Sequence, residues 1–470
     1  MISNYEFKHL AHCTLLFCML AFVVTFLSSV TTLKIGEQDQ FYGFNPWAEY
    51  GTLGCSILFG CRLLVILALP QVVLNFIGLT CFNAFPGKVT LKGSSLLTPL
   101  VCVRIVTRGD YPALVRENVS RNMAKCLEAG MDNFLIEVVT DKPIGLPKHR
   151  RIREIVVPAS YQPKRGAMYK ARALQYCLED DVNELADNDY IVHLDEETIM
   201  THDSVRGIIN FMLDGKYDFG QGLITYASDR VMNWITTLAD SNRVADDMGK
   251  LRAQFNFFHK PLLSWKGSYI VSKVYAERHV SYDHGIRGSL AEDCYFAMKA
   301  YMEGYTFAFV DGEMWEKSPF TMWDFIQQRK RWVQGISLVV HSPEIAWRYK
   351  IWLALSLYAW ITMPLSLSNI FLGLVFPLPT PMWLNFLCSF VATVNIYMFI
   401  FGAIKSLSIY RMGIIKYGSC IASILFVILI STFMENIAII MGVFAQKKKF
   451  YVVDKDISML KKDEIKLFSV

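Results

Sequence analysis

Hydrophobic positions along the chain follow two patterns. Long uninterrupted apolar runs lie near both ends. Between them, residues 85–350 alternate short apolar runs with stretches of helical spacing. A bilayer crossing needs about 20 consecutive apolar residues. Residues 10–33, 53–82, 351–376, 382–408 and 414–446 reach that length. The first reads as a signal anchor: its apolar part is long and no small-x-small cleavage site follows. The second is interrupted by Arg62 and Pro70, and Arg62 would snorkel or face a protein partner. Pro377, Pro379 and Pro381 separate the third from the fourth. The last contains Glu435 and has 33 residues, long for one crossing and short for two.

In the middle region, Leu100–Val106, Phe134–Val139, Ile155–Val157 and Tyr190–Leu194 read as strands. Pro112–Ala129 and Ala167–Leu178 read as helices, the first stopping at Gly130. Strands alternating with helices predict an α/β domain with a Rossmann-like, mostly parallel sheet. Ligands of such sheets bind beyond the carboxyl ends of the strands. Asp141 and Asp195 both fall there.

Composition adds that 53% of residues are hydrophobic and 19% charged, on the membrane side of soluble averages. The net charge of +5 does not point to nucleic acid, and nothing in the pattern calls for an obligate protein partner. Eleven cysteines without regular spacing read as small buried hydrophobes, not as a disulfide framework or a zinc site. The loop at 31–50 sets Lys34 against Glu37, Asp39 and Glu49 and reads as lumenal. The segment after residue 446 holds seven lysines against four acids and reads as cytosolic. Two N-terminal crossings then place the catalytic region in the cytosol, where the sequon at Asn118 is silent. Three further crossings would put the lysine-rich tail on the wrong side. Either residues 414–446 bend back near Glu435, or one apolar stretch is not a true span. The expected organisation is a pair of membrane helices at 1–84, a catalytic domain at 85–319, an amphipathic interface region at 320–350, membrane helices at 351–446 and a basic cytosolic tail at 447–470.

Four polar motifs carry candidate chemistry. In His193-Leu194-Asp195-Glu196-Glu197, Asp195 and Glu197 share one face of an extended segment. They suit a hard divalent cation that neutralises a diphosphate, and equally a solvated acidic loop. Asp141 would take hydrogen bonds from a nucleoside or form a turn before Pro143. Lys164, Arg165 and Lys170 would meet phosphates or form a solvated basic face. Glu292 and Asp293 open a helix, as general base and neighbour or as acids favoured by the helix dipole. Phe320–Val340 is amphipathic, with Trp323, Phe325, Trp332 and Val333 beside Arg329, Lys330 and Arg331, the make-up of a helix at a membrane surface.

In this order and spacing the motifs resemble the membrane-bound inverting glycosyltransferases of family 2, over roughly residues 98–345. The family's nucleoside acid matches Asp141 and its Asp-x-Asp matches Asp195-Glu196-Glu197, with Glu in the last place. Its base matches Asp293. Its Gln-x-x-Arg-Trp matches Gln328, Arg331 and Trp332, and its Lys-Ala-Gly-Ala-Leu-Asn matches Lys170-Ala171-Arg172-Ala173-Leu174-Gln175. The resemblance implies a GT-A-like fold and Mn²⁺ or Mg²⁺ on Asp195 and Glu197. It implies donor contacts from Thr107, Asp141, Lys170, Asp195, Gln328 and Arg331. The acceptor would meet Trp265, Glu292 and Trp332, Trp265 being alternatively a core side chain. More narrowly, the chain and its Phe450–Lys455 segment resemble the family's invertebrate branch that transfers mannose from GDP-mannose to glucosylceramide in β1,4 linkage. That implies a multi-pass protein of the ER or Golgi. Rival readings are a ceramide glucosyltransferase, a lipid-phosphate mannosyltransferase, a polysaccharide synthase, or a non-catalytic scaffold or transporter. A transporter needs ionisable groups inside its spans, and Arg62 and Glu435 are the evident candidates.

Overall fold

The computed structural model describes residues 3–31, 45–228, 231–376, 378, 380–445, 451, 453 and 455. Most of the 31–50 loop and of the 447–470 tail therefore lies outside the described residues, as do Pro377 and Pro379.

Among the described residues the catalytic region is built on one seven-stranded sheet. Its strands are β1 (Val101–Thr107), β2 (Phe134–Thr140), β3 (Ile152–Val156), β4 (Tyr190–Asp195), β5 (Phe219–Thr225), β6 (Ile270–Lys273) and β7 (Phe307–Trp315). Their order is β3-β2-β1-β4-β6-β5-β7. β1 to β4 pair in parallel, β6 runs against both β4 and β5, and β7 is parallel to β5. The expected Rossmann-like sheet with a mixed part is thus present, and six of its strands end on the same edge. β1 and β5 are buried along nearly their whole length because helices cover both faces.

The register also places charge inside. Arg104 of β1 stands opposite Glu137 of β2 and His193 of β4. Arg104 bonds Glu137 at 2.6 Å and Glu277 at 3.3 Å, and Glu277 meets His193 at 2.7 Å. Each buried charge has a partner, so the network holds three strands in one register without leaving an orphan ion.

Among the described residues, four helices are long and apolar enough to cross a membrane: Asn4–Phe26, Pro46–Cys81, Met382–Ser406 and Ile414–Phe444. The second contains a short 3-10 turn at Leu64–Ala68, just before Pro70. Arg62 faces protein, donating to the Leu378 carbonyl at 2.8 Å. Residues 351–376 form no straight span: Trp347–Ile361 and Met363–Gly373 meet at a 55° bend. Ile414–Phe444 is one continuous helix through Glu435, so of the two alternatives for the crossing count, a turn back at Glu435 does not occur. Glu435 is held by Arg329 at 2.8 Å and Trp360 at 3.2 Å. Arg62 and Glu435 therefore have separate partners and form no intramembrane pair.

Met322–Val340 departs from the surface-helix expectation. Phe325 and Val333 are buried in protein, and Gly442 of the last helix lies against the Val333 side chain. Trp323, at its start, is exposed. Periodicity marked the apolar face correctly, but that face meets a neighbouring helix. All eleven cysteines are free thiols, and the four in the polar region are buried.

Candidate active site

The strand ends build the site. β4 stops at Asp195, and Glu196, Glu197 and Thr198 turn across the sheet edge. Two asparagines of the helix Pro112–Glu128 hold that turn: Asn118 donates to the Glu196 carbonyl at 2.8 Å and Asn122 to the Thr198 carbonyl at 3.0 Å. The sequon asparagine is thus a buried structural group. Beyond β1, Thr107 donates to the Glu196 carboxylate. Gly109 takes a left-handed φ of 79°, and a Cβ there would lie 2.9 Å from the Lys142 carbonyl. Only glycine lets the loops after β1 and β2 come this close.

The site residues named by the family resemblance, Thr107, Asp141, Lys170, Asp195, Glu197, Trp265, Glu292, Asp293, Gln328, Arg331 and Trp332, line one cavity of about 1730 Å³. Lys164 and Arg165 lie outside it, and Arg165 pairs with Glu344 at 2.7 Å instead. Asp141 accepts from Arg172 at 3.2 Å. Lys170 donates to Asp195 at 2.5 Å and to the Gly267 carbonyl at 3.1 Å, with Glu292 at 3.9 Å. Burial pushes the Asp195 carboxyl up, but Lys170, Lys455 and Arg331 outweigh it and hold it below the usual range. Asp293 is pushed up to about 7, by burial first and then by the Glu292 charge beside it. Gly267 packs on this pair: a Cβ there would come within 3.1 Å of Asp293 Oδ2 and 3.4 Å of Lys170 Nζ.

Gln328 and Trp332 are set by Arg329 between them. Arg329 donates to Gln328 at 2.9 Å and to buried Asp240 at 2.5 Å, and its guanidinium lies 4.3 Å from the Trp332 ring centre. Arg243 approaches the same ring at 4.8 Å. Of the two readings open for Trp265, sugar platform or core side chain, the packing favours the core. It is 6% exposed and packs edge-on against Phe255 and Phe307 in the core. Too little of its face remains for a sugar to stack upon.

Three cavity residues escaped the sequence reading. Glu196 turns back toward Thr107 rather than outward. Glu316 follows β7, accepts from Thr198 at 2.7 Å, and is pushed up to about 7 by burial and then by Asp195 and Glu197. The strand-end rule would have found it had β7 been recognised. Lys455 comes from the tail and pairs with Glu197 and, at 3.0 Å, with Glu196. Tyr451 of the same segment donates to Asp324 at 2.7 Å. No periodic signal points to either contact. Asp195, Glu196 and Glu197 surround the Lys455 ammonium, and Glu316 lies under the charge of Asp195 and Glu197; carboxylate oxygens are the donors a hard cation takes. Away from the strands, the cavity continues among Ala392, Ile396, Phe399, Leu429 and Phe433 of the membrane helices.

A charged end thus joins an apolar chamber in one cavity. Residues 190–405 match the family model described as glycosyl transferase family group 2. The β-1,4-mannosyltransferase egh of Drosophila melanogaster is 58% identical over 457 residues, covering 97% of this chain and 99% of that protein. The β-1,4-mannosyltransferase bre-3 of Caenorhabditis elegans is 54% identical over 455 residues, with 97% and 99% covered. Among solved structures, the mannosyltransferase PcManGT from Pyrobaculum calidifontis, in complex with GDP-Man and Mn²⁺, is 14% identical with a TM-score of 0.46, covering 82% of this chain and all of that one. Identity of this extent over nearly the whole length places the chain in glycosyl transferase family group 2, on the branch of these β-1,4-mannosyltransferases.

Proposed function

We propose that the chain transfers mannose from GDP-mannose to glucosylceramide, forming a β1,4 linkage with inversion at the anomeric carbon. The observation that carries this reading is the placement of Asp293. Its carboxyl, pushed up to about 7 by burial and the Glu292 charge, lines the same cavity as Asp195 and the apolar side chains of the membrane helices. A carboxylate with a pKa near working pH is suited to take a proton from a sugar hydroxyl.

In this mechanism Asp195 and Glu197, with Glu316 nearby, would hold Mn²⁺ or Mg²⁺. When bound, the ion supplies positive charge against the donor diphosphate. Thr107 and Asp141 hold the nucleoside, Lys170 and Arg331 face the phosphates, and Gln328 is oriented by Arg329. The acceptor oxygen forms its bond to C1 on the face opposite the diphosphate, its proton passes to Asp293, and the C1–O bond to GDP breaks. Trp332 and Glu292 border the acceptor sugar, while the chamber between the membrane helices takes the ceramide chains.

The Lys455 and Tyr451 contacts support one shared side for tail and catalytic region, and four crossings return the chain to that side. The bent pair at 347–373 is then re-entrant. The acidic 31–50 loop and the lysine-rich tail favour the cytosol of the ER or Golgi membrane for the catalytic face.

The test is a product assay with purified protein, Mn²⁺, GDP-mannose and glucosylceramide beside Asp293→Asn. A single new hexosyl lipid, reduced at least a hundredfold in the variant, is expected. Product from a UDP-sugar instead would transfer the reading to another family 2 activity. A ladder of products would make the protein a polymer synthase, and full activity in the variant would remove Asp293 as base.

A further inference from the structure

A second cluster of chemistry-bearing side chains lies outside the active-site cavity. His9, His12 and Cys13 stand on one face of the first helix at i, i+3 and i+4. Their ligand atoms all lie within 4.8 Å of one another. Cysteine spacing alone conceals the group, because two of its three members are histidines.

The contacts around the two rings show which nitrogens face the cluster. Tyr397, on the helix Met382–Ser406, gives its one hydroxyl hydrogen to the His12 carbonyl at 2.8 Å. His12 Nδ1 lies 2.8 Å from the same phenolic oxygen; with Nδ1 as the donor there, the Nε2 lone pair is left for the cluster. The backbone N–H of Ala84 donates to His9 Nδ1 at 3.3 Å, which puts a lone pair on that nitrogen too. These two nitrogens, His12 Nε2 and His9 Nδ1, face each other at 3.1 Å. Cys13 Sγ completes the triangle, 3.5 Å from His12 Nε2 and 3.9 Å from His9 Nδ1. A tetrahedral zinc ion, with bonds of about 2.0–2.1 Å to nitrogen and about 2.3 Å to sulfur, holds its ligand atoms roughly 3.3–3.6 Å apart. The observed triangle needs only small side-chain shifts to meet that spacing.

The geometry points to a metal site of the zinc class made by His9 Nδ1, His12 Nε2 and the Cys13 thiolate. Tyr397 acts behind His12, fixing its tautomer and ring plane as outer-shell partners of metal-bound imidazoles do. Binding releases the thiol proton, so affinity falls as pH is lowered. Three protein ligands leave a fourth position for water or a small ligand. The ion would tie the first helix, through Tyr397 behind His12, to Met382–Ser406, and would take over the His9 Nδ1 lone pair that the Ala84 N–H holds without it. Its imidazole and thiolate donors differ in kind from the oxygen donors of the active site, which favour Mg²⁺ or Mn²⁺.

The test uses the full chain in detergent, purified without a histidine tag, with zinc measured by mass spectrometry and Co²⁺ as a spectroscopic probe. One zinc per chain is expected to survive dialysis. Co²⁺ should give intense tetrahedral d–d absorption with a thiolate charge-transfer band. Cys13→Ser should remove that band and most of the zinc, while Asp195→Asn keeps both. His9→Ala should also lose the zinc, with an unchanged gel-filtration profile showing that the protein remains folded. Zinc-free wild type with no tetrahedral Co²⁺ spectrum overturns the site. So does zinc content that follows Asp195→Asn and ignores Cys13→Ser.

Discussion

Asp293 is where single-residue chemistry is most testable. Burial and the Glu292 charge both disfavour its ionised form, which is why its carboxyl titrates near 7 and not near 4. As a base it works only when deprotonated. Transfer should therefore be flat above about pH 7 and fall about tenfold per unit below it. Glu316 also titrates near 7, but under the influence of Asp195 and Glu197, so a midpoint alone does not separate the two. Glu292→Gln does. Removing a neighbouring negative charge lowers the Asp293 pKa and moves the acidic limb to lower pH, whereas Glu316 should respond little. A limb that stays in place in Glu292→Gln would assign it to another group. Legibility at this scale followed strand ends. Asp141, Asp195 and the acids at 292–293 could be picked out because each follows or opens a recognisable apolar element. Glu316 could not, because β7 itself was not recognised. Trp265 was open between core and platform because an aromatic residue carries the same sequence signature in either role.

Elements were readable where local pattern and environment agree. β1, β2 and β4 are runs of branched apolar residues buried on both faces, and their boundaries follow the sequence closely. β5 reads Phe-Gly-Gln-Gly-Leu-Ile-Thr, where two glycines and a buried glutamine disguise a central strand. β6 has four residues, and β7 carries Asp311-Gly312-Glu313 along its length with a register shift in its pairing to β5. These three depend on non-local pairing, which periodicity does not report. The tail is the extreme case: Lys455 reaches Glu196 and Glu197 across more than half the chain. Its ammonium stands among the carboxylates proposed to hold a cation, so metal entry must displace it. Lys455→Ala is expected to tighten Mn²⁺ binding to the donor-free protein by about tenfold, equivalent to roughly 1.4 kcal/mol. Electron paramagnetic resonance of free Mn²⁺ would measure it. Weaker binding in the variant would mean that the lysine remains in the loaded site beside the diphosphate.

At the scale of the whole molecule, the parts converge on one passage. The carboxyl edge of the sheet supplies the charged end, and the helix Met322–Val340 carries Gln328, Arg331 and Trp332 over it. Arg329 pins that helix to Asp240 on one side and to Glu435 of the last membrane helix on the other. The buried ion pair thus couples the polar site to the membrane helices, and the cavity runs between them without a wall. If its apolar end receives lipid chains, filling it should harm lipid acceptors selectively. Ala392 lines that end from the helix Met382–Ser406 and is only partly buried, so a larger side chain there projects into the chamber. Ala392→Trp adds an indole to space that acyl chains would use, and it lies far along the chain from Asp195 and Asp293. We expect the KM for long-chain glucosylceramide to rise at least tenfold, because each displaced methylene forfeits about 0.8 kcal/mol of burial. A short-chain or chain-free glucoside should be used as before, and donor affinity should be unchanged. Equal loss with both acceptors would indicate damage to the catalytic end. No loss with either would show that the lipid chains stay in the bilayer and that only the sugar head enters the protein.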